Sequence, residues 1–242
     1  MLVKATRFLL LGAGSLGLAA WTVAHAACTA DSVLDWKTAG SDPLSSTDKP
    51  DQGHADSTGS GRWFYGYYAT AGDSASFTLL PDYREDTTTP DWYFVEAAGH
   101  DPTGAYTLGD YPLLLSYGGH PGASLQAVRR WLSDANGLLH IDAHLTHLDP
   151  PYGNGVIGSI FVNGLVKDSS LVANGSSYSL SLDTVVGIGD AVDFVLDNNG
   201  GYDSDSTLFT AQMTLIPESE AASLLVGLGL AGFALWRRPA IG

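Results

Sequence analysis

The strongest constraint on the fold is a series of short strand-like segments that runs from about residue 62 to residue 215. In the clearest of them, Leu138–Leu145, apolar and polar side chains alternate, as in a strand with one face on a core. Clusters of Gly, Asp, Asn or Pro separate the segments, and Asn163-Gly164 is the dipeptide most typical of a two-residue hairpin turn. About ten such strands predict an all-β, jelly-roll-like β-sandwich. Before residue 62, only Val33–Trp36 is expected to form a strand.

The N-terminus is predicted to be a signal peptide. Lys4 and Arg7 precede an apolar run from Phe8 to Val23, and Ala24-His25-Ala26 is a small-x-small cleavage motif. We therefore expect residues 1–26 to form a signal helix that is removed. Cys28, the only cysteine, follows this site, so its lipidation is an alternative to a free thiol, and no disulfide can form within the chain.

The C-terminus carries a second apolar run, Ala221–Trp236, which is closed by Arg237 and Arg238 and preceded by Pro217-Glu218-Ser219. This tail resembles the PEP-CTERM sorting signal of Gram-negative bacteria, although that signal has Pro where Ser219 stands. The resemblance implies that the C-terminal apolar helix holds the precursor in the inner membrane. It also implies that an exosortase-like sorting protease recognises the tail and sends the protein to the cell surface or extracellular matrix.

The body also resembles a group of β-sandwich proteins common among PEP-CTERM proteins and similar to galactose-binding-like jelly rolls. The resemblance is carried by the aromatic segment 63–67, by His120-Pro121-Gly122, by the segment 127–131, and by the segments 154–156, 162–164, 188–194 and 201–207. It implies no particular activity. The predicted organisation is a signal peptide (1–26), a polar segment (27–61), a β-sandwich domain (62–216) and a sorting tail (217–242).

The charge balance excludes one class of partner. The chain has 26 acidic and 11 basic side chains, a net charge of -15, and without residues 1–26 the same 26 acidic residues face 9 basic ones. Nucleic acid would repel such a surface, so no nucleic-acid partner is expected.

Two groups of residues are candidate metal ligands. In the strand Leu138–Leu145, the side chains of His140, Asp142 and His144 share one face and could bind a transition metal, and the alternative is an ordinary exposed polar face. The loop from residue 197 to residue 205 is rich in oxygen ligands suited to a structural Ca²⁺, and the alternative is a solvated turn. Its candidate ligands are Asp197, Asn199, Asp203 and Asp205, with Asp149 or Asn154 as more distant ones.

A third candidate site is aromatic. Trp63, Tyr65 and Tyr67 share one face of a strand and could form a platform for sugar rings, and core packing is the alternative.

No sequence motif for catalysis is present, such as Gly-x-Ser-x-Gly or His-Glu-x-x-His, and no cofactor is required. The first functional hypothesis is therefore a non-catalytic surface or matrix protein that binds extracellular polysaccharide. The alternatives are a structural, exopolysaccharide-associated component without a ligand and, because carboxylates are numerous, a secreted glycoside hydrolase.

Overall fold

The computed structural model describes residues 28–36, 52–80, 82–85, 93–96, 112–149 and 152–218. All of them belong to one compact unit, His25–Glu218. The predicted signal peptide, Arg237, Arg238 and the C-terminal apolar run lie outside the described residues. Within those residues, no helix is long and apolar enough to cross a membrane.

The described residues form fifteen β-strands and two 3-10 turns, Leu34–Trp36 and Ser74–Ser76. The strands are β1 (Cys28–Asp31), β2 (His54–Ala55), β3 (Gly61–Tyr68), β4 (Phe77–Leu79), β5 (Asp82–Glu85), β6 (Tyr93–Glu96), β7 (Leu113–Leu115), β8 (Gly118–His120), β9 (Gln126–Ser133), β10 (Gly137–His147), β11 (Val156–Val162), β12 (Leu165–Val172), β13 (Ser177–Val186), β14 (Ala191–Asp197) and β15 (Thr207–Pro217).

The strands form two antiparallel sheets. Sheet one has the order β13-β10-β15-β8-β7-β6-β5, and β1 pairs with β15 beside β8. Sheet two has the order β12-β11-β14-β9-β3-β2, and β4 pairs with β3. The protein is therefore a β-sandwich, as the sequence predicts.

The eight strands from β8 to β15 have the topology of a jelly roll. Their order is β8-β15-β10-β13 in sheet one and β9-β14-β11-β12 in sheet two, so the chain changes sheets at every connection except β11–β12. That exception is the predicted hairpin at Asn163-Gly164, where both residues have positive φ, 50° and 76°. Two residues with positive φ are the signature of a type I′ turn, whose twist matches that of the flanking strands.

The core lies between the two sheets and follows the alternation of the strands. On β10, the odd-numbered residues from Leu139 to Leu145 are buried, while the even-numbered ones face outward. Facing them from sheet two are large buried side chains that include Trp63, Trp131 and Phe194. Apolar burial on both inner faces is the main stabilising contribution in such a sandwich.

The sandwich begins earlier than residue 62, because β1 and β2 also belong to the sheets. The expected strand Val33–Trp36 is wrong: Leu34–Trp36 is a 3-10 turn. The Asp31 carboxylate causes it by accepting hydrogen bonds from the backbone N–H groups of Val33 and Leu34, 2.9 and 3.0 Å away.

At the other end, Pro217 of the sorting motif is the last residue of β15, opposite Gly137. The N–H of Glu218 donates to the carbonyl of Asn136 at 3.1 Å. Pro lacks an N–H group and is tolerated at such a strand end.

Candidate functional site

Four adjacent strands of sheet one, in the order β13, β10, β15 and β1, carry polar side chains on their outer face. The register places them in rows that run across the strands. Asp142 lies between Ser181 and Gln212, and Gln212 in turn lies opposite Asp31. The next row, two residues along the strands, is formed by Ser179, His144 and Thr210. Neighbouring rows are about 7 Å apart, because each residue of a strand rises about 3.4 Å.

These two rows form the floor of a groove of about 560 Å³. Val33 and Leu34, which follow β1, line it as an apolar wall, and the side chain of Leu34 is 70% exposed. Hydroxyl, amide, carboxylate and imidazole groups on the floor can both donate and accept hydrogen bonds. We call this feature, formed by Asp31, Val33, Leu34, Asp142, His144, Ser179, Ser181, Thr210 and Gln212, the sheet-one groove.

The candidate transition-metal residues sit on this same face but contact different partners. Nδ1 of His140 lies 2.6 Å from Oδ1 of Asp183, and its Nε2 lies 3.0 Å from Oδ2 of Asp142. Hydrogen bonds to these two carboxylates raise the pKa of His140. The nitrogens of His144 instead meet the hydroxyls of Ser179 and Thr146, at 3.1 and 3.2 Å.

In a metal site, both imidazoles would direct a free nitrogen at one point. Here Asp142 is hydrogen-bonded to His140, and both ring nitrogens of His144 contact the hydroxyls of Ser179 and Thr146. Among the residues that the structure describes, no group of three His, Cys, Asp or Glu side chains is arranged to hold a metal ion. The arrangement is that of a hydrogen-bonded polar sheet face.

The predicted aromatic platform is wrong. Trp63 and Tyr65 are completely buried and Tyr67 is half-buried, because these positions of β3 face the opposite sheet. The Tyr65 ring packs against Trp36 with centroids 4.6 Å apart. The alternative, core packing, is confirmed for Trp63 and Tyr65, so neither can stack on an external sugar.

The opposite face of β3 also contributes to a buried cluster, on the outer side of sheet two. Tyr68, Val128, Phe161 and Val195 form it, and Phe77 packs against it. Phe77 begins β4, which pairs with β3 and brings this ring against the sheet. This part of the outer face of sheet two is therefore covered by the chain itself.

Asp193 on β14 is the polar centre of that covered face. Its side chain is buried, and Oδ1 and Oδ2 accept hydrogen bonds from Nε and Nη2 of Arg130 at 2.7 and 2.8 Å. The Tyr68 hydroxyl also donates to Oδ2, at 2.5 Å. The Arg130 guanidinium lies 3.9 Å above the Phe77 ring, so charge and packing are coupled here.

Arg129, the neighbour of Arg130, faces the interior and is 1% exposed. It donates to four backbone carbonyls, those of Ser32, Leu115, Ser116 and Gly118. Burial lowers its pKa to about 10. The sequence offered one signal for this residue: two adjacent arginines in a strand must point to opposite faces.

The acidic loop between β14 and β15 divides the candidate calcium ligands into two groups. Asp197 accepts from the side chain of Gln126 at 2.6 Å and from the N–H of Asn199 at 2.9 Å. Asn199 and Asn154 each donate from the side chain to the other's backbone carbonyl, at 3.1 and 2.6 Å. These side chains hold the loop together, whereas the residue Asp203 is exposed.

Asp205 has a different environment. It is completely buried, and neither carboxylate oxygen has a hydrogen-bond partner among the described residues. Nε2 of His147 lies 3.8 Å from Oδ1, and this buried nitrogen has no hydrogen-bond partner among the described residues either. Burial raises the pKa of Asp205 to about 7, and the carboxylates of Asp149, Asp203 and Asp197 act in the same direction.

No protein-family model and no curated protein matches the chain. Similar solved structures include a family 35 carbohydrate binding module from Clostridium thermocellum, with 13% identity over 46% of this chain and 81% of the module and a TM-score of 0.26. The C-terminal CBM6 of LamC from Zobellia galactanivorans has 11% identity over 64% of this chain and 98% of its own, with a TM-score of 0.27. Rabbit GITRL has 15% identity over 38% and 75%, with a TM-score of 0.31. At TM-scores this low, the matches carry no argument about function.

Proposed function

We propose that this chain is an exported, non-catalytic protein of the cell surface or extracellular matrix that binds a neutral glycan in the sheet-one groove. The observation that carries the proposal is the pair of polar rows on four adjacent strands, beside the apolar wall of Val33 and Leu34. A volume of about 560 Å³ is within the usual range for small-ligand sites.

The chemistry of the groove matches that of a sugar. Each sugar hydroxyl both donates and accepts, and the floor supplies acceptors in Asp142 and groups of both kinds in Gln212 and Thr210. The apolar wall suits the C–H faces of a pyranose ring, which are also apolar. Polar groups that hydrogen-bond the hydroxyls of one sugar give specificity, because a sugar with a different arrangement leaves a buried polar group without a hydrogen bond, which weakens binding.

The charge of this face favours a neutral ligand. Asp31 and Asp142 line the groove, and Asp183 lies beside it on β13. The basic side chain that contacts these carboxylates is His140, which is held between Asp142 and Asp183. An anionic polysaccharide would be repelled by these carboxylates and by the overall net charge of -15.

The export part of the proposal rests on the two ends of the sequence. The signal peptide leads the chain out of the cytoplasm, and the Pro217-Glu218 motif with Arg237 and Arg238 marks the tail for an exosortase-like protease. If so, Glu218→Ala leaves the protein in the membrane fraction of its host. Glu220→Ala, two residues along, is the control and is released normally. Normal release of Glu218→Ala would refute the sorting role.

The binding experiment is a glycan array followed by titration calorimetry with the full chain, purified in mild detergent. Asp142→Ala and His144→Ala each lower the affinity for the bound neutral glycan at least about tenfold, the equivalent of 1.4 kcal/mol. Ser169→Ala is the control: it removes an exposed hydroxyl that contacts Ser159 at 2.8 Å on the other sheet. Its affinity equals that of the unchanged chain.

Two outcomes would overturn this function. A folded chain that binds no glycan on an array of neutral and acidic polysaccharides supports the structural alternative. Release of reducing sugar from a polysaccharide supports the hydrolase alternative instead.

A further inference from the structure

We propose that the space beside Gly153 is a calcium site, with the Asp205 carboxylate and the backbone carbonyls of Asp203 and Ser204 as its protein ligands. The site lies where the β14–β15 loop meets the connection between β10 and β11. It is separate from the sheet-one groove.

The first observation is a convergence of oxygen atoms. A Cβ atom on Gly153 would lie 2.9 Å from the carbonyl oxygen of Asp203, 3.0 Å from that of Ser204 and 3.4 Å from Oδ1 of Asp205. Three acceptor oxygens therefore lie close together against the Cα of Gly153, where no side chain separates them. Ca²⁺ takes oxygens at 2.3–2.6 Å, so an ion shared by the three lies beside the glycine, clear of its Cα, after a small movement of these groups.

The second observation is the unpartnered carboxylate itself. Asp205 is completely buried, and its oxygens accept no hydrogen bond from any described residue. A buried charge of this kind is strongly unfavourable unless a counter-charge compensates it. A divalent cation bound by these three clustered oxygens supplies that charge.

The surroundings favour a cation as well. Three further carboxylates, those of Asp149, Asp203 and Asp197, contribute negative potential at Asp205. Two histidines lie in this region. Nε2 of His120 accepts a hydrogen bond from the N–H of Asp205 at 3.3 Å. Nδ1 of His147 accepts one from the N–H of Gly175 at 3.4 Å.

The ligand types select calcium over a transition metal. Carbonyl and carboxylate oxygens are hard ligands that Ca²⁺ accepts in flexible geometry, with water completing the shell. Zn²⁺ prefers several imidazole or thiolate ligands. Within the part of the chain that the structure describes, no such group of three side chains occurs.

This site differs from the one that the sequence predicts. Asp197 and Asn199 are occupied with Gln126 and Asn154, so they are not ligands. Of the four predicted residues, Asp205 contributes its side chain and Asp203 contributes its backbone carbonyl.

The experiment is thermal unfolding of the full chain in chelator, in Ca²⁺ and in Mg²⁺, with calorimetric titration of Ca²⁺. At a Ca²⁺ concentration a hundred times Kd, we expect a rise in Tm on the order of 5 °C and one bound ion per chain, while equal Mg²⁺ has little effect. Asp205→Asn abolishes this rise. Asp197→Asn, which removes one charge from the same loop, retains it.

A pair of glycine variants tests the site without removing any carboxylate. Gly153 and Gly200 have nearly equal φ angles, +87° and +86°, so Ala is strained at both positions. A Cβ at Gly153 presses on the three proposed ligand oxygens, while a Cβ at Gly200 meets no described atom within 4 Å. Gly153→Ala therefore loses the Ca²⁺-dependent rise in Tm, and Gly200→Ala keeps it.

Three results would overturn the proposal. One is an equal Tm of the unchanged chain in chelator and in saturating Ca²⁺. Another is retention of the calcium response by Asp205→Asn or Gly153→Ala. The third is the same rise with Mg²⁺ as with Ca²⁺, which indicates screening of a diffuse acidic surface.

Discussion

Asp193 and Asp205 are both completely buried, but they differ in their hydrogen-bond partners. Asp193, in the middle of a strand of sheet two, receives two hydrogen bonds from Arg130, one from Tyr68 and a longer one from Ser74. Asp205, in the loop before β15, receives none from the described residues. The comparison shows that burial alone does not reveal the role of a charged residue. Its partners do, and the absence of partners among the described residues is what motivates the proposal of an external ligand at Asp205.

The two positions differ in what surrounds them. Asp193 is bonded to the Arg130 side chain, which stacks on the Phe77 ring, on a face that β4 covers. Asp205 faces backbone carbonyls beside a glycine, and the one basic side chain of the described residues within 4 Å of its carboxylate is that of His147. The first region is a hydrogen-bonded network within the fold, and the second is the proposed cation site.

The largest predicted effect is on the satisfied aspartate. Asp193→Asn leaves the Arg130 guanidinium without its counter-charge, so the free energy of unfolding falls by about 3–5 kcal/mol. Urea unfolding of the full chain measures it. The control is Asp134→Asn, which breaks the exposed pair with Arg62 (2.8 Å) and costs less than about 1 kcal/mol. Equal losses for both variants would show that the network adds no stability.

The same substitution at Asp205 is expected to change the free energy of unfolding in the opposite direction. In chelator at pH 8, Asp205→Asn raises the free energy of unfolding by about 1–3 kcal/mol, because it removes a buried charge with no partner. In saturating Ca²⁺ the advantage shrinks or reverses. Destabilisation in chelator would show that the carboxylate has a partner within the chain.

The pH dependence of stability in the unchanged chain and in Asp205→Asn provides a further test. The pKa of Asp205 rises from 3.8 to about 7 on folding, so the folded state binds the proton more tightly than the unfolded state. In chelator, the unchanged chain therefore loses stability as the pH rises from about 4 through about 7. Asp205→Asn lacks this component, so the difference between the two free energies of unfolding grows over that range.

A smaller effect is expected at the edge of the satisfied network. Tyr68→Phe removes one hydrogen bond to Asp193 but leaves both bonds from Arg130, so we expect a loss of about 1–2 kcal/mol. Urea unfolding distinguishes this from the larger loss in Asp193→Asn. A loss as large as that of Asp193→Asn would mean that Tyr68, and not Arg130, stabilises the carboxylate.

The sequence predicts the sandwich well where the pattern is local. The alternation along β10 and the Asn163-Gly164 turn are confirmed, because strand facing and turn type depend on neighbouring residues. The short strands β1, β2, β5 and β8 escape detection, because two to four residues carry too little periodicity. β3 has large rings on both faces, so its burial depends on which elements cover each face.

The difference between the two aspartates is not predictable from sequence, because their partners are distant in the chain. Tyr68 and Arg130 precede Asp193 by 125 and 63 residues. The composition of the loop 197–205 predicts oxygen ligands in general. Which oxygens converge depends on Gly153, in a different connection.

The most direct test of the account is the position of the ion. Crystals of the full chain grown in Ca²⁺ and measured at long wavelength give an anomalous difference map in which calcium is visible. We predict one peak beside Gly153, 2.3–2.6 Å from Oδ1 of Asp205 and from the carbonyl oxygens of Asp203 and Ser204. An ordered Asp205 side chain with no peak there at saturating Ca²⁺ would contradict the account.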